Sequence, residues 1–349
     1  MKYLFFSPLV FNNYRNRHNE IPMGLSAKGN ECTFINPVKY KDWQNSAFRL
    51  QNSSTHSAGS VKVIERFSKL PLSALLVIYE NYDNVRMIRK YKPEVVVSWD
   101  SLMSFFMCIY CKWKGIPFVF DAMDDWEEIG NRYFIRFYFR YIVKPLLSRW
   151  SYAIVSTSHR QKEEYSRYNK RVFLVPNGKP IDFIKKAEQC ASEVINESRT
   201  VNFIATLRDW FDFDLLFEVF RQFPQLQLNI YGQGELFEEL KIKSAAYPNI
   251  ALKGNADSSL LPKLVAESLF GILPLKLNKL NDSTCPIKLF DYWSAGKAII
   301  ASPTYELKKV SEDGGLIFAA TKEEYIPAIS SLLNNPDLRK SIEKRAMKT

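Results

Sequence analysis

The segment CPIKLFDYWSAGKAIIAS, residues 285–302, places a lysine and a carboxylate where a polyanion could be held. It reads as a loop, a helix opening at Pro286, and a buried strand reached once Gly296 has ended that helix. A helix start exposes N–H groups that have no partner in the turn before them. Its dipole end is positive, so phosphate oxygens suit it. Lys288 in the first turn adds a point charge, and Asp291, one turn on, could accept hydrogen bonds from ribose hydroxyls. An ordinary amphipathic helix with a capped start accounts for the same residues about as well on physical grounds alone.

A second concentration of chemistry lies in NRYFIRFYFRYIVKPLLSRW, residues 131–150. Arg132, Arg136, Arg140 and Lys144 recur every fourth residue along one slowly drifting helical stripe, with aromatic residues filling much of the remainder. Such a helix can lie in a membrane interface, cations on head groups and rings at the acyl boundary. A helix packed on a sheet with its basic side in water is the plainer alternative. His18, in RNRHNE, could touch an acceptor, although a surface position is the stronger expectation; His159, in STSH, is expected to start a helix. Asp212-Phe213-Asp214 has the D-x-D form of a metal motif, but its place in a helix-start loop favours capping. Cys108 and Cys111 form a C-x-x-C inside an apolar run with no second pair after it, so buried thiols are expected rather than a redox or zinc site. No metal and no cofactor is expected.

The elements that must position these residues alternate almost throughout. In the first half, strands are expected at 2–7, 31–36, 94–99, 117–122, 152–157 and 172–177, with helical segments between most of them. Residues 39–70 have a Gln/Asn/Ser-rich centre that resembles a loop. A charged stretch at 179–199 reads as a linker with one short helix, after which strands return at 201–206, 226–231, 250–254, 270–275, 298–302 and 315–319. Apolar strands joined by helices imply parallel sheets covered on both faces. The expectation is an α/β protein of two Rossmann-like βα domains, 1–178 and 200–349, facing across a cleft, where ligands of such sheets bind.

At 349 residues the chain is long enough for two domains, and 46% apolar with 24% charged residues is a globular composition that excludes disorder. The net charge of +11 is uneven: residues 1–180 hold 27 Lys/Arg against 15 Asp/Glu, and the remainder 21 against 22. That asymmetry points to an anionic partner for the first half. No signal-like segment and no run of about 18 apolar residues is present, so a cytoplasmic chain is expected, with a peripheral place on the inner face of the cell membrane left open.

The 285–302 block resembles the P-x-K-x-x-E-Y-x-A-x-G-K-P-V-V pattern of GT-B glycosyltransferases of the group-1, family-four-like superfamily. FIATLRDWFDFDLL (203–216) is similar to the first strand and loop of their donor domain, and LNIYGQGE (228–235) to a strand ending in G-x-G. YPNIALKG with LLPKLVAESLFGILPL is similar to the segment leading to the donor loop. In the first half FDAMDDW, YAIVSTS and VFLVPNG resemble a subgroup of bacterial polysaccharide-type transferases.

The resemblance implies transfer of a hexosyl-type sugar from a nucleotide diphosphate sugar, expected to be UDP-linked, to a saccharide or lipid-linked acceptor. It implies that Arg208, Lys288 and the donor-loop residues Thr284, Pro286 and Ile287 meet the diphosphate, that Asp291 holds the ribose, and that backbone at Tyr231-Gly232 lies near the base or diphosphate. It also implies that the loop after strand 117–122 faces the reacting sugar. Relatives often have a His there; this chain has Asp124, with Asp125 beside it. A carboxylate in that place can take the acceptor's proton, and repulsion from its neighbour and Asp121 would raise one pKa towards neutrality. A cap for a helix near Trp126 is the alternative role. The pattern departs at Ser283, which stands where relatives often have the first of two Glu residues, with Asp282 adjacent. Two other readings compete with the transferase: a nucleotide-sugar epimerase on the same scaffold, and a basic nucleic-acid-binding protein. Only three His residues and no recognised nucleic-acid module speak for them, and no nucleic-acid partner is expected.

Overall fold

The computed structural model describes residues 1–11, 17–40, 53–58, 60–68, 74–99, 101–123, 137, 139–194, 199–312 and 315–346. The chain divides into two compact units, Met1–Pro176 and Asn177–Thr349.

The first unit is built on one eight-stranded sheet. In chain order its described elements are β1 (Lys2–Phe6), α1 (Arg17–Ala27), β2 (Glu31–Tyr40), β3 (Ser53–Ala58), β4 (Val61–Ser68), α2 (Ala74–Tyr91), β5 (Val95–Ser98), α3 (Ser101–Lys114) and β6 (Phe118–Ala122). A widened π turn, Phe139–Val143, then leads into α4 (Lys144–Trp150), followed by β7 (Ala153–Ser156), α5 (His159–Ser166) and β8 (Val172–Leu174). The sheet order is β3-β4-β2-β1-β5-β6-β7-β8, parallel except for the edge strand β3, which runs antiparallel to β4. Strands such as VVVS are buried at every position because helices cover both faces. On one face Leu4, Phe6, Val96, Phe118 and Ile154 pack with Met107, Cys108 and Cys111 of α3 and Leu147 of α4. On the other, Phe5, Phe34, Val97 and Trp99 pack with Ile21 and Leu25 of α1.

Two strands, β3 and β4, occupy the stretch expected to be a loop. SSTHSA has no apolar alternation to announce it, and β4 buries Arg66, which hides its strand period. That guanidinium is satisfied by Asn36 O, Asn84 Oδ1, Asp83 and Glu80, so its charge is compensated inside the sheet's cover.

The second unit begins with α6 (Ile181–Glu193), so the charged stretch after Asn177-Gly178 is mostly helix and packs within this unit. It continues through β9 (Thr200–Ile204), α7 (Phe213–Phe220), β10 (Gln227–Tyr231), α8 (Phe237–Ser244), β11 (Ile250–Gly254), α9 (Leu261–Glu267), β12 (Gly271–Leu273) and α10 (Lys279–Asp282). The remaining elements are α11 (Ile287–Ser294), β13 (Ile299–Ala301), α12 (Tyr305–Val310), β14 (Leu316–Phe318), α13 (Lys322–Asn334) and α14 (Pro336–Ala346). The strands form two parallel three-stranded sheets, β11-β10-β9 and β12-β13-β14, joined where Leu269 N–H donates to Thr200 C=O at 2.7 Å. One continuous core unites them, and Phe203, Phe217, Phe220 and Phe270 are all but inaccessible within it. Burial of each such ring is worth about 2–3 kcal/mol.

Candidate functional site

The site in the second unit is assembled from loops at the C-terminal ends of β9, β10 and β12. The loop after β9 and the G-x-G after β10 are laced together: Ala205 N–H donates to Tyr231 C=O (3.0 Å), Leu207 N–H to Gln233 C=O (2.9 Å), and Leu236 N–H to Leu207 C=O (3.2 Å). Glycine is required for this approach. A Cβ at Gly232, whose φ is +140°, would lie 1.8 Å from the Ala205 carbonyl oxygen, and one at Gly234 would lie 2.2 Å from that of Leu207. The third loop is tied to the first, since Asp212 N–H donates to Pro274 C=O (2.7 Å) and Lys276 N–H to Trp210 C=O (3.0 Å). Asn281 Nδ2 braces both, reaching the carbonyls of Trp210 and Lys276.

On this frame α11 begins at Pro286, and no side chain caps it. Its inward face fixes its position: Leu289 is buried, and Tyr292 donates its hydroxyl to Asn202 C=O at 2.7 Å. Gly271 gives the Tyr292 ring its room, because a Cβ there would come within 2.6 Å of it. Gly296, at φ +65°, ends the helix in the left-handed region, as the sequence leads one to expect.

Asp291 is the electrostatic centre. Only 3% of it is exposed. One carboxylate oxygen pairs with Lys288 Nζ at 3.0 Å and the other with Lys179 Nζ. Burial pushes this carboxyl up, but the ammoniums of Lys288 and Lys179 outweigh burial and hold it below the usual carboxylate range. The group expected to meet ribose is thus engaged by two lysines. Lys179, assigned by the sequence to the linker, is the partner that was missed. Asn177, two residues earlier, donates Nδ2 to Cys285 C=O at 2.8 Å and so lays this segment along the donor loop. One carboxylate with two cations leaves a net positive charge at an uncapped helix start.

The other expected donor residues lie on the loop after β9, at the end of β10 and on the segment leading into α11. Arg208 is exposed and lies over the Trp210 ring, 5.3 Å from its centroid. Tyr231 is half-buried, and burial followed by Glu267 raises its hydroxyl. Thr284 donates its hydroxyl to Leu280 C=O at 2.8 Å, Ile287 is exposed, and Pro286 is buried. Ser283 and Asp282 serve the loop itself, through Lys279 C=O and Tyr305 N–H. Asp212 caps α7 by accepting from Leu215 N–H at 2.9 Å, as expected for that D-x-D.

The first unit has its own cluster at the ends of β1, β5 and β6. Arg17 forks onto Asp121, with Nε–O distances of 3.0 and 3.2 Å, and donates Nη1 to Val175 C=O at 2.8 Å. Both side chains are buried; burial raises Asp121, and Arg17 opposes it. Asp121 is therefore a charge-compensated partner of Arg17 rather than a bare neighbour for another carboxylate. Asp124 and Asp125 lie outside the described residues, as do Arg132 and Arg136.

His18 corrects the expectation of a surface position. It is 2% exposed, packs on Trp99 at 5.0 Å, and neither ring nitrogen has a hydrogen-bond partner. Burial, then the charge of Arg17, pushes its pKa down to about 4. Lys144 corrects the basic stripe: it is 5% exposed and pairs with Glu164 at 2.9 Å, while Arg140 stays exposed. The π turn between them is the reason, because its wider winding rotates a residue four positions on away from the α-helical stripe. Cys108 and Cys111 are buried free thiols, pushed up by burial to about 11 and about 12. His159 opens α5 behind the cap of Ser158.

The chain thus has two α/β units built on parallel sheets, and the second carries Lys179 and Lys288 on Asp291 at the start of α11. Residues 208–349 match the family described as glycosyl transferase-like. The chain is 22% identical over 222 residues to the Bacillus subtilis (strain 168) protein described as the teichuronic acid biosynthesis glycosyltransferase TuaH. That match covers 56% of this chain and 55% of TuaH, about half the length of the relative. Among solved structures, sucrose-phosphate synthase from Thermosynechococcus elongatus superposes with a TM-score of 0.76 at 13% identity, covering 100% of this chain and 94% of that one. HepE of Anabaena, in complex with UDP and glucose, gives 0.68 at 12% identity with the same coverage. WaaG, a glycosyltransferase involved in lipopolysaccharide biosynthesis, gives 0.68 at 14%, covering 99% and 94%. Residues 208–349 are thus similar to glycosyl transferases, and the whole chain shares the GT-B fold of these structures.

Proposed function

We propose that this protein is a glycosyltransferase that moves a hexosyl-type sugar from a UDP-linked donor to a saccharide or lipid-linked acceptor in bacterial surface polysaccharide or glycoconjugate synthesis. The observation that carries the proposal is the buried Asp291 holding Lys179 and Lys288 at the open start of α11. A diphosphate is a dianion or more, and such a site offers it two ammoniums already held in place and free backbone donors. Arg208, on a loop braced to the same donor loop, supplies a third cation. The UDP in the HepE structure and the naming of TuaH and WaaG as glycosyltransferases support this choice of donor class.

The reaction makes a bond from an acceptor oxygen to the anomeric carbon and breaks the bond from that carbon to the diphosphate oxygen. The breaking bond's electrons leave with the nucleotide diphosphate, whose growing charge Lys179, Lys288 and Arg208 stabilise. The acceptor's proton goes to a carboxylate, which on the sequence we assign to Asp124 or Asp125. No metal is needed in this scheme, because protein cations meet the diphosphate.

Isothermal titration with UDP tests the donor site. Lys288→Ala should weaken UDP binding about tenfold or more, a loss on the scale of about 1.4 kcal/mol. Asp124→Asn and Asp125→Asn should leave UDP affinity intact while one of them abolishes turnover. Unchanged UDP affinity in Lys288→Ala would sink the donor assignment, and full turnover in both Asn variants would sink the base.

A further inference from the structure

The helical cover of the first unit exposes aromatic side chains where polar ones would be expected. On α3 the inward positions Ser104, Met107, Cys108 and Cys111 are buried against the sheet. The outward positions are apolar too: Phe106 is 56% exposed, Ile109 is also open, and Trp113 is 71% exposed. Spacings of three and four residues place them on a single face of the helix. The π turn, packed beside α3, adds exposed Tyr141 (60%) and Ile142, and Phe137 just ahead of it is exposed as well. Phe137 and Tyr141 touch, with ring centroids 4.8 Å apart.

Cations rim these rings. Lys114 Nζ lies 3.9 Å from the centroid of Trp113, Arg140 stands 5.8 Å from that of Tyr141, and Lys112 lies over Trp150 at 5.5 Å. Residues 101–114 and 137–150 together hold Lys112, Lys114, Arg140, Lys144 and Arg149, and not one Asp or Glu. Lys144 is buried on Glu164, whereas Lys112, Lys114, Arg140 and Arg149 are exposed. Isolated exposed rings are ordinary on soluble proteins, but a run of them on adjoining helices with charges of one sign is a binding surface.

We infer that the outer face of α3, with Phe137, Tyr141 and Ile142 beside it, seats the protein on an anionic lipid bilayer, with the rings at the acyl boundary and Lys112, Lys114 and Arg140 on the head groups. Charge selects this occupant. A second copy presenting the same face would set cations against cations, whereas an anionic surface complements them. No described helix is long and apolar enough to cross a membrane, so attachment here is to one leaflet. This surface differs from the basic stripe expected from sequence, since it uses α3 and excludes Lys144. It stands independently of the proposed transfer chemistry.

Flotation of the full chain with vesicles tests the inference, comparing pure phosphatidylcholine with an equal mixture of phosphatidylcholine and phosphatidylglycerol. The protein should bind the mixed vesicles at least tenfold more tightly, and raised salt should erase the difference. The triple variant Phe106→Ser, Trp113→Ser, Tyr141→Ser should lose about tenfold or more in affinity, and Lys112→Gln with Arg140→Gln about tenfold. All are solvent-facing changes, so UDP affinity and the melting curve should remain those of the parent. Equal binding of the triple variant and the parent to mixed vesicles overturns the inference. So does a parent that ignores both vesicles, or one that self-associates through this face while the triple variant stays monomeric.

Discussion

The two units meet the same problem, charge at the ends of parallel strands, in opposite ways. In Met1–Pro176, Arg17 and Asp121 are matched one to one, both buried, and the guanidinium is completed by the Val175 carbonyl. In Asn177–Thr349, one buried carboxylate holds two lysines, and Arg208 stands exposed on a loop braced to the segment after β12. The first arrangement is closed and neutral; the second keeps a surplus positive charge. Yet the first unit contains 26 Lys/Arg against 15 Asp/Glu, while the second contains 22 of each. Bulk charge therefore does not locate the proposed donor site. In the second unit a balanced total conceals a local imbalance at α11.

Removing one partner from each cluster should give the largest effects. Arg17→Ala leaves Asp121 buried without compensation and should cost about 4 kcal/mol. Asp291→Ala releases two lysines that are partly solvated, so its cost should be smaller, about 3 kcal/mol. Because the chain has two units, native-state hydrogen exchange should be read separately over 1–176 and 177–349. Each variant should weaken only its own unit, and the pair Arg17→Met with Asp121→Leu should recover most of the loss. A pair no more stable than Arg17→Ala would show that the ion pair is not what binds this edge together.

The next effect belongs to His18. Its folded pKa, about 4, lies below the ordinary 6.5, so the unfolded chain takes up a proton that the folded one refuses. The contribution is complete above pH 6.5 and is lost as pH falls towards 4. Its size is about 3 kcal/mol. His18→Leu should flatten the stability profile of the first unit across that interval, relative to the parent. An unchanged slope would mean that the imidazole is not the titrating group. The smallest expected effect is none: EDTA should leave turnover unaltered, since lysines and arginine neutralise the leaving group. Loss of activity on chelation, restored by a divalent ion, would break the proposed division of charge.

What the sequence discloses follows from how local each signal is. The turn into α11 at Pro286, its stop at Gly296, and the cap at Asp212 are encoded within a few residues and stand where expected. The apolar strands are likewise legible, because burial on both faces leaves an unbroken run. Strands β3 and β4 were not, the first being polar throughout and the second carrying a buried arginine. Lys179 reaches Asp291 across 112 positions of chain, and no short-range pattern ties the two. Lys144 was misplaced by a single wide turn that periodicity assumes away. The burial of His18 depends on Trp99, far along the chain.

The two glycines after β10 have a consequence for motion. With no space for even a methyl group between Gly232 and the Ala205 carbonyl, the loops after β9 and β10 form one slab rather than two independent flaps. Neither can swing without rupturing the amide contacts of Ala205 and Leu207, so their protons should exchange with solvent at a common rate, as a single opening unit.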